Sequence, residues 1–288
     1  MAHTHDRIDW TERIAEMRRT DALEAEVNGL VAHRLVDPLP PGATVVDVGS
    51  GSGGMAAAFA AALAVRGGGR IVLVDAVPEL QAAAIDAVRA AAGDRIEIVP
   101  VEFDAADDGL AAAVPAGDLV WASRVVHHLP DERAGVARLA GIVRPGGTLA
   151  LVEGGLTKRC LPWDLGVGEP GLEDRLHAAR AEWFTRMRAG MEGVVRTGVG
   201  WNRLLADAGL SDVRAFSYLV DLPAPGAEPV RRFVADWLAW LSGVGEEWLS
   251  ESDRETVARL LDENGPDWVG ARDDVFVLAA STVHLGTK

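Results

Sequence analysis

Cysteine is almost missing from this chain: 288 residues hold one, Cys160. A single thiol excludes an internal disulfide and every multi-cysteine zinc site, and Cys160 reads instead as a small buried hydrophobe. Basic residues are short too. Against 43 Asp+Glu stand 28 Lys+Arg, a net charge of −15, so a general grip on a polyanion would oppose the chain's own field. Nucleic acid and anionic membrane are therefore poor partners, and a small molecule is the expected one. No apolar run approaches the roughly 18 residues of a membrane span, and the opening MAHTHDRIDW lacks the basic-then-apolar order of a secretory signal. A cytoplasmic protein is expected. His3 and His5 sit in a terminus expected to be mobile, and His127 and His128 would point in different directions on a helix, so no metal is expected.

Apolar residues are plentiful at 49%, enough to bury a core as one domain over 1–288. Short β-branched runs alternate with alanine-rich stretches: TVVDV (44–48), RIVLVD (70–75), RIEIVPV (95–101), DLVWAS (118–123) and TLALVE (148–153). Runs that are apolar at nearly every position suit strands covered on both faces. Their alternation with helices at 55–65, 77–92 and 131–143 implies βαβ units around a parallel sheet. The last of these helices stops at Arg144-Pro145-Gly146-Gly147.

Beyond Glu153 the rhythm changes. An irregular loop (156–171) precedes Leu172, Leu176, Ala179, Trp183 and Met187 at helical spacing. A helix at 201–208 and two antiparallel edge strands at 213–220 and 275–283 follow, with further helices at 229–241 and 252–264. Near the N-terminus, 11–18 and 21–35 read as two helices, the second with Leu23, Val27, Leu30 and Val31 on one face. In an open α/β sheet ligands bind outside the carboxyl ends of the strands. The helical segments at 1–35, 156–200 and 226–270 are therefore expected as lids around a core of 40–155.

The stretch VVDVGSGSGG (45–54) packs four glycines behind an apolar run that contains an acid. Glycines between a strand and a helix let the chain turn tightly and let a ligand touch bare backbone. Dinucleotide enzymes use a related turn, so the turn alone decides little. Asp47 sharpens the reading, because a carboxylate at that strand end suits a cationic ligand better than a pyrophosphate. Asp75 closes the second strand 22 residues past Gly53 (75 − 53), where it can accept both hydroxyls of a ribose or cap the next helix. Asp104, in FDAADDG, can accept from an adenine amine or serve as a turn residue.

With DVGSGSG, VLVDAVP, FDAAD, HHLPD and RPGGTL in this order, the sequence resembles the class I S-adenosylmethionine-dependent methyltransferases. The resemblance covers about 40–155 and the two C-terminal strands. It implies a Rossmann-like, doubly wound seven-stranded α/β sheet in the order 3-2-1-4-5-7-6 with the last strand antiparallel. It also implies S-adenosyl-L-methionine as cofactor and S-adenosyl-L-homocysteine as product. Carried over residue by residue, it places Asp47, Gly49 and Gly51 beside the methionyl portion, Asp75 at the ribose, Phe103 and Asp104 at the adenine, and Ser123 near the methionyl amine, with Ser50 and Ala76 as further cofactor-binding residues. Ser50 stands where many members carry cysteine or alanine. Homodimerisation is left open.

Methyl transfer is an in-line displacement, so positioning dominates, and a proton must leave an oxygen, nitrogen or carbon acceptor. His127 and Glu153, after the fourth strand and ending the fifth, are the candidate base and its partner; many relatives carry aspartate in place of Glu153. For the acceptor, six tryptophans fall in lid segments: Trp10, Trp163, Trp183, Trp237, Trp240 and Trp248. Phe233, Trp237, Trp240 and Leu241 form a stripe of the kind that usually packs in a core. Even so, this content suits a flat, apolar aromatic acceptor, with C- or N-methylation of an indole-type ring as the first choice and O-methylation of a phenolic or glycosylated metabolite as the alternative. A nicotinamide oxidoreductase is the rival class. Asp47 disfavours it, and Tyr218, the only tyrosine, has no lysine four residues on.

Overall fold

Strands that are apolar at every position need a helix on each face, and the chain supplies them in alternation. A computed structural model describes residues 10–288. In chain order the elements are α1 (Trp10–Val36), β1 (Thr44–Val48), α2 (Gly54–Val65), β2 (Gly69–Asp75), α3 (Pro78–Ala92), β3 (Ile96–Glu102), α4 (Leu110–Ala113), β4 (Gly117–Ser123) and α5 (Glu132–Gly141). After these come β5 (Val143–Arg159), α6 (Leu172–Ala189), α7 (Trp201–Asp207), β6 (Ser211–Leu222), α8 (Glu228–Gly245), α9 (Glu251–Leu261) and β7 (Val277–Thr287).

The seven strands form one sheet in the order β3-β2-β1-β4-β5-β7-β6. β1 to β5 are parallel, with Asp47 level with Leu73 on one side and Trp121 on the other. β7 is antiparallel. Its end pairs with the start of β5, where Gly146 N–H donates to Lys288 O at 2.9 Å and Lys288 N–H to Gly147 O at 3.0 Å. β7 therefore lies inside the sheet, and β6 alone is the edge on that side. One face of the sheet packs Val45, Ile71, Leu73 and Trp121 against α1, α2 and α3; the other packs Val46, Val72, Val120 and Leu149 against α4, α5 and α7.

Three local expectations need correction. The two N-terminal helices are one, because nothing between Arg18 and Asp21 breaks a helix and Thr20 Oγ1 turns inward to bond Glu16 O at 3.3 Å. Leu30 lies off its buried face at 67% exposure, and Leu35 and Val36 take its place. The Arg144-Pro145-Gly146-Gly147 run ends α5 as expected yet belongs to β5, which absorbs it as a bulge where Gly117 pairs with Val143 but Leu119 with Thr148.

The chain divides into two units, the first holding residues up to Gly154 with Val195–Tyr218 and Ser281–Lys288. The second, Gly155–Val194 and Leu219–Ala280, contains α6, α8, α9 and the loop after β5. Segment 195–200, read from sequence as part of an insertion, falls in the first unit. Within the second, buried Glu173 of α6 accepts from the Cys160 amide at 2.7 Å, and Arg175 bridges Asp253 of α9 at 2.8 Å. Cys160 is fully buried, and burial pushes its thiol far above the ordinary range, as befits an inert packing residue. Residues 1–9 of the expected N-terminal lid, with His3 and His5, lie outside the described residues.

Candidate functional site

The turn after β1 is built by backbone that only glycine adopts easily. Gly49, Gly51 and Gly53 have φ of 71°, 54° and 88°. A Cβ on Gly53 would stand 2.5 Å from Ala84 Cα, and one on Gly49 2.5 Å from Val125 Cγ2, so the turn is wedged between α3 and the segment after β4. Ser50 within it is buried, and its Oγ has no hydrogen-bond partner among the described residues.

Asp75 ties the ends of β1 and β2 together. Its Oδ2 accepts from Gly51 N–H and its Oδ1 from Val77 N–H, both at 3.0 Å. It thus supports the turn and the entry to α3 at once, and exposed Ala76 follows it. Asp47 differs: it is 3% exposed, and burial, then the carboxylates of Asp75 and Asp21, push it up to about 7, with no hydrogen bond from the described residues to counter them. Phe103 donates its amide to Asp75 O at 3.1 Å, which brings the end of β3 beside the end of β2. Asp104 follows, and its Oδ1 accepts from Ala106 N–H at 2.8 Å, so the turn role expected as its rival reading is present. Ser123 ends β4, level with Val152.

Beyond Ser123, Arg124 takes φ of 57°, and the chain then enters a tight turn over Val126–His128. Glu153, expected to end β5 but lying six residues before the end of that strand at Arg159, organises this turn. Its Oε1 accepts from Val126 N–H at 3.0 Å and His127 N–H at 3.4 Å, and its Oε2 meets His127 Nδ1 at 2.7 Å. Glu153 is 3% exposed, the His127 side chain 23%. The two histidine rings lie 4.1 Å apart in this turn rather than diverging on a helix. Among the described residues no group of three or more His, Cys, Asp and Glu could hold a metal ion. No described helix is long and apolar enough to cross a membrane.

The structure thus brings Asp47, Gly49, Ser50, Gly51 and Asp75 together at one turn, joins Phe103 to that turn through Asp75, and pairs His127 with Glu153. Two residues were missed. Asp21 on α1 accepts from Ser52 Oγ at 2.5 Å. In sequence Asp21 looks like the first residue of a second helix, and only the unbroken α1 shows that it faces the turn instead.

Residues 46–149 match the family model described as a methyltransferase domain. Nocamycin O-methyltransferase from Saccharothrix syringae is 33% identical over 243 residues, spanning 81% of this chain and 82% of that one. The chain belongs to the class I S-adenosylmethionine-dependent methyltransferases. An uncharacterized methyltransferase from Mycobacterium tuberculosis is 38% identical over 122 residues, 41% of this chain and 55% of its own length. A solved structure of a putative methyltransferase from Bacillus halodurans aligns over 90% of this chain and 98% of that one, with 15% identity and a TM-score of 0.49.

S-adenosylmethionine is the methyl donor of this methyltransferase. The turn fits it on three counts: bare backbone at positive φ, and, among the described residues, a buried Ser50 hydroxyl with no partner and a buried Asp47 carboxylate with no countercharge. The bound donor supplies a methyl group on a positively charged sulfur, and a ring of carboxylates is the complement of that charge.

Proposed function

We propose that this methyltransferase tailors a small, flat, largely apolar natural product by methylating an acceptor oxygen, whose proton passes to His127. The observation that carries the reading is the 2.7 Å contact of His127 Nδ1 with Glu153 Oε2. A buried carboxylate on Nδ1 holds the tautomer that keeps the basic lone pair on Nε2, and it stabilises the imidazolium formed when the proton arrives. An O–H acceptor has a proton to lose on attack, so a held base has work to do there. The nocamycin O-methyltransferase relative, similar over four-fifths of the chain, supports oxygen as the acceptor atom.

On this reading Asp75 with Ala76 holds the ribose, Phe103 and Asp104 the adenine, and Asp47, Gly49, Ser50, Gly51 and Ser123 the methionyl end, with S-adenosylhomocysteine as product. A second reading, methylation at carbon or nitrogen of an indole-type ring, is favoured by the aromatic content of the second unit. There Trp237 and Trp240 stack at 4.9 Å and Trp183 meets Trp240 edge-on. The protein works on a small molecule in the cytoplasm, without nucleic acid or membrane. Incubation with methyl-labelled S-adenosylmethionine and a panel of phenols, enols, carboxylic acids and indoles, with products read by mass spectrometry, tests the proposal. Label on an acceptor oxygen supports it, label on an indole carbon or nitrogen selects the second reading, and no labelled product from the panel rejects both.

A further inference from the structure

The N-terminal helix puts an acid where the sequence motifs put none. Asp21 accepts from Ser52 Oγ at 2.5 Å, and its carboxyl group lies against Gly54, where an added Cβ would strike it. Met17, one helical turn earlier, lies against Gly51 in the same way. Asp47 and Asp75 point to this side of the sheet. Asp47 shares the face of Val45 along β1 and Asp75 that of Leu73 along β2, and both of those residues pack in the cluster that includes Val31 and Ala32 of α1. Three carboxylates thus gather around one glycine turn. Among the described residues no cation acts on Asp47, and the one acting on Asp21, Arg18, is the smallest of its influences.

We propose that Asp21 is a specificity-determining residue of the cofactor site, completing with Asp47 and Asp75 an acidic ring that favours the positively charged sulfonium donor over its neutral thioether product. The two ligands differ by one methyl group and one charge, so such a ring separates them electrostatically without touching sulfur. A weak hold on the product aids turnover, because release limits many enzymes. The inference rests on placing the cofactor at the glycine turn, as proposed above. Packed like charges also retain protons. Asp47 is pushed up to about 7 by burial, Asp75 and Asp21, and Asp21 is itself raised, chiefly by burial, with Glu24 adding to it against the Ser52 hydrogen bond. Entry of a cation therefore expels a proton near neutral pH, and entry of the thioether expels less.

Calorimetric titration of the full chain with S-adenosylmethionine and with S-adenosylhomocysteine, in buffers of differing ionisation enthalpy between about pH 6 and 8.5, tests this. Asp21→Asn is expected to weaken the donor about tenfold, or about 1.4 kcal/mol, and the thioether by less than about threefold. It should also move the proton-release midpoint to lower pH, since loss of the Asp21 charge lowers Asp47. Asp21→Glu should restore the preference. Equal weakening of both ligands by Asp21→Asn, or an unmoved midpoint, overturns the role of Asp21. So does a wild type that releases no proton on binding the donor, a result that depends on no variant. If Asp75→Ala weakens neither ligand, the placement of the cofactor fails, and the proposal fails with it.

Discussion

Glu153 is buried at 3% exposure, and a carboxylate tolerates that only where donors surround it. Two backbone amides and the His127 ring meet that need, so one side chain both shapes the turn after β4 and orients the imidazole. His127→Ala is expected to lower kcat by about 10²- to 10⁴-fold while cofactor affinity, read by calorimetry, stays near wild type. Glu153→Gln keeps the volume and should cost less, and the double variant should lose less than the product of the two, because the pair acts as a unit. Asp75→Ala removes the acceptor of Gly51 and Val77 amides along with its proposed ribose contact. It should weaken S-adenosylhomocysteine by about 1.5 to 3 kcal/mol, and unchanged affinity would mean that the cofactor does not bind at this turn and that Asp75 only braces it. These residues were legible because Asp75 ends β2, Glu153 closes an apolar run within β5, and His127 follows β4 in a recognisable run. Asp21 was not, since its partner Ser52 lies 31 positions away and no spacing rule connects a helix face to a distant turn.

Elements were easier to read than their edges. β1 has the bounds its sequence suggests and α2 begins one residue earlier, because a strand flanked by glycine and an alanine-rich helix leave few alternatives. β5 runs on to Arg159, six residues past Glu153, because its length is set by the antiparallel partner β7, a tertiary fact that local pattern does not carry. The four-residue α4 was too short to leave a periodic signal. The turn itself is the element most sensitive to change. Gly53 has φ of 88° and Ala84 Cα would lie 2.5 Å from a new Cβ, so Gly53→Ala must shift α2 against α3. It is expected to destabilise the fold by about 1 to 3 kcal/mol, seen as a lowered thermal midpoint. An unchanged midpoint would mean that α3 has room to move.

For the molecule as a whole, class was legible in the alternation of strands and helices and strand order through the family resemblance, while the grouping of the later helices into a second unit came only from the structure. The acidic balance has a consequence at this scale. Asp47 is raised from the ordinary 3.8 to about 7, so the folded state keeps a proton that the unfolded chain releases. The stability this contributes is complete below about pH 3.8 and is lost as pH rises to about 7, a change of a few kcal/mol in the protein without cofactor. Asp47→Asn should remove that loss, so its thermal midpoint is expected to exceed the wild-type value at pH 8 and to approach it near pH 5. Parallel curves for the two proteins would show Asp47 to be ionised throughout.

Methyl transfer from S-adenosylmethionine to an acceptor whose proton is taken by the Glu153-held His127 is tested by a single-turnover measurement with methyl-labelled donor and the acceptor turned over best in the panel, comparing wild type with His127→Ala at saturating concentrations of both. Label is expected on the acceptor, with a rate lower by about 100-fold or more in the variant. A variant that keeps more than about a third of the wild-type rate would contradict it, because that falls far short of the smallest contribution expected of a base.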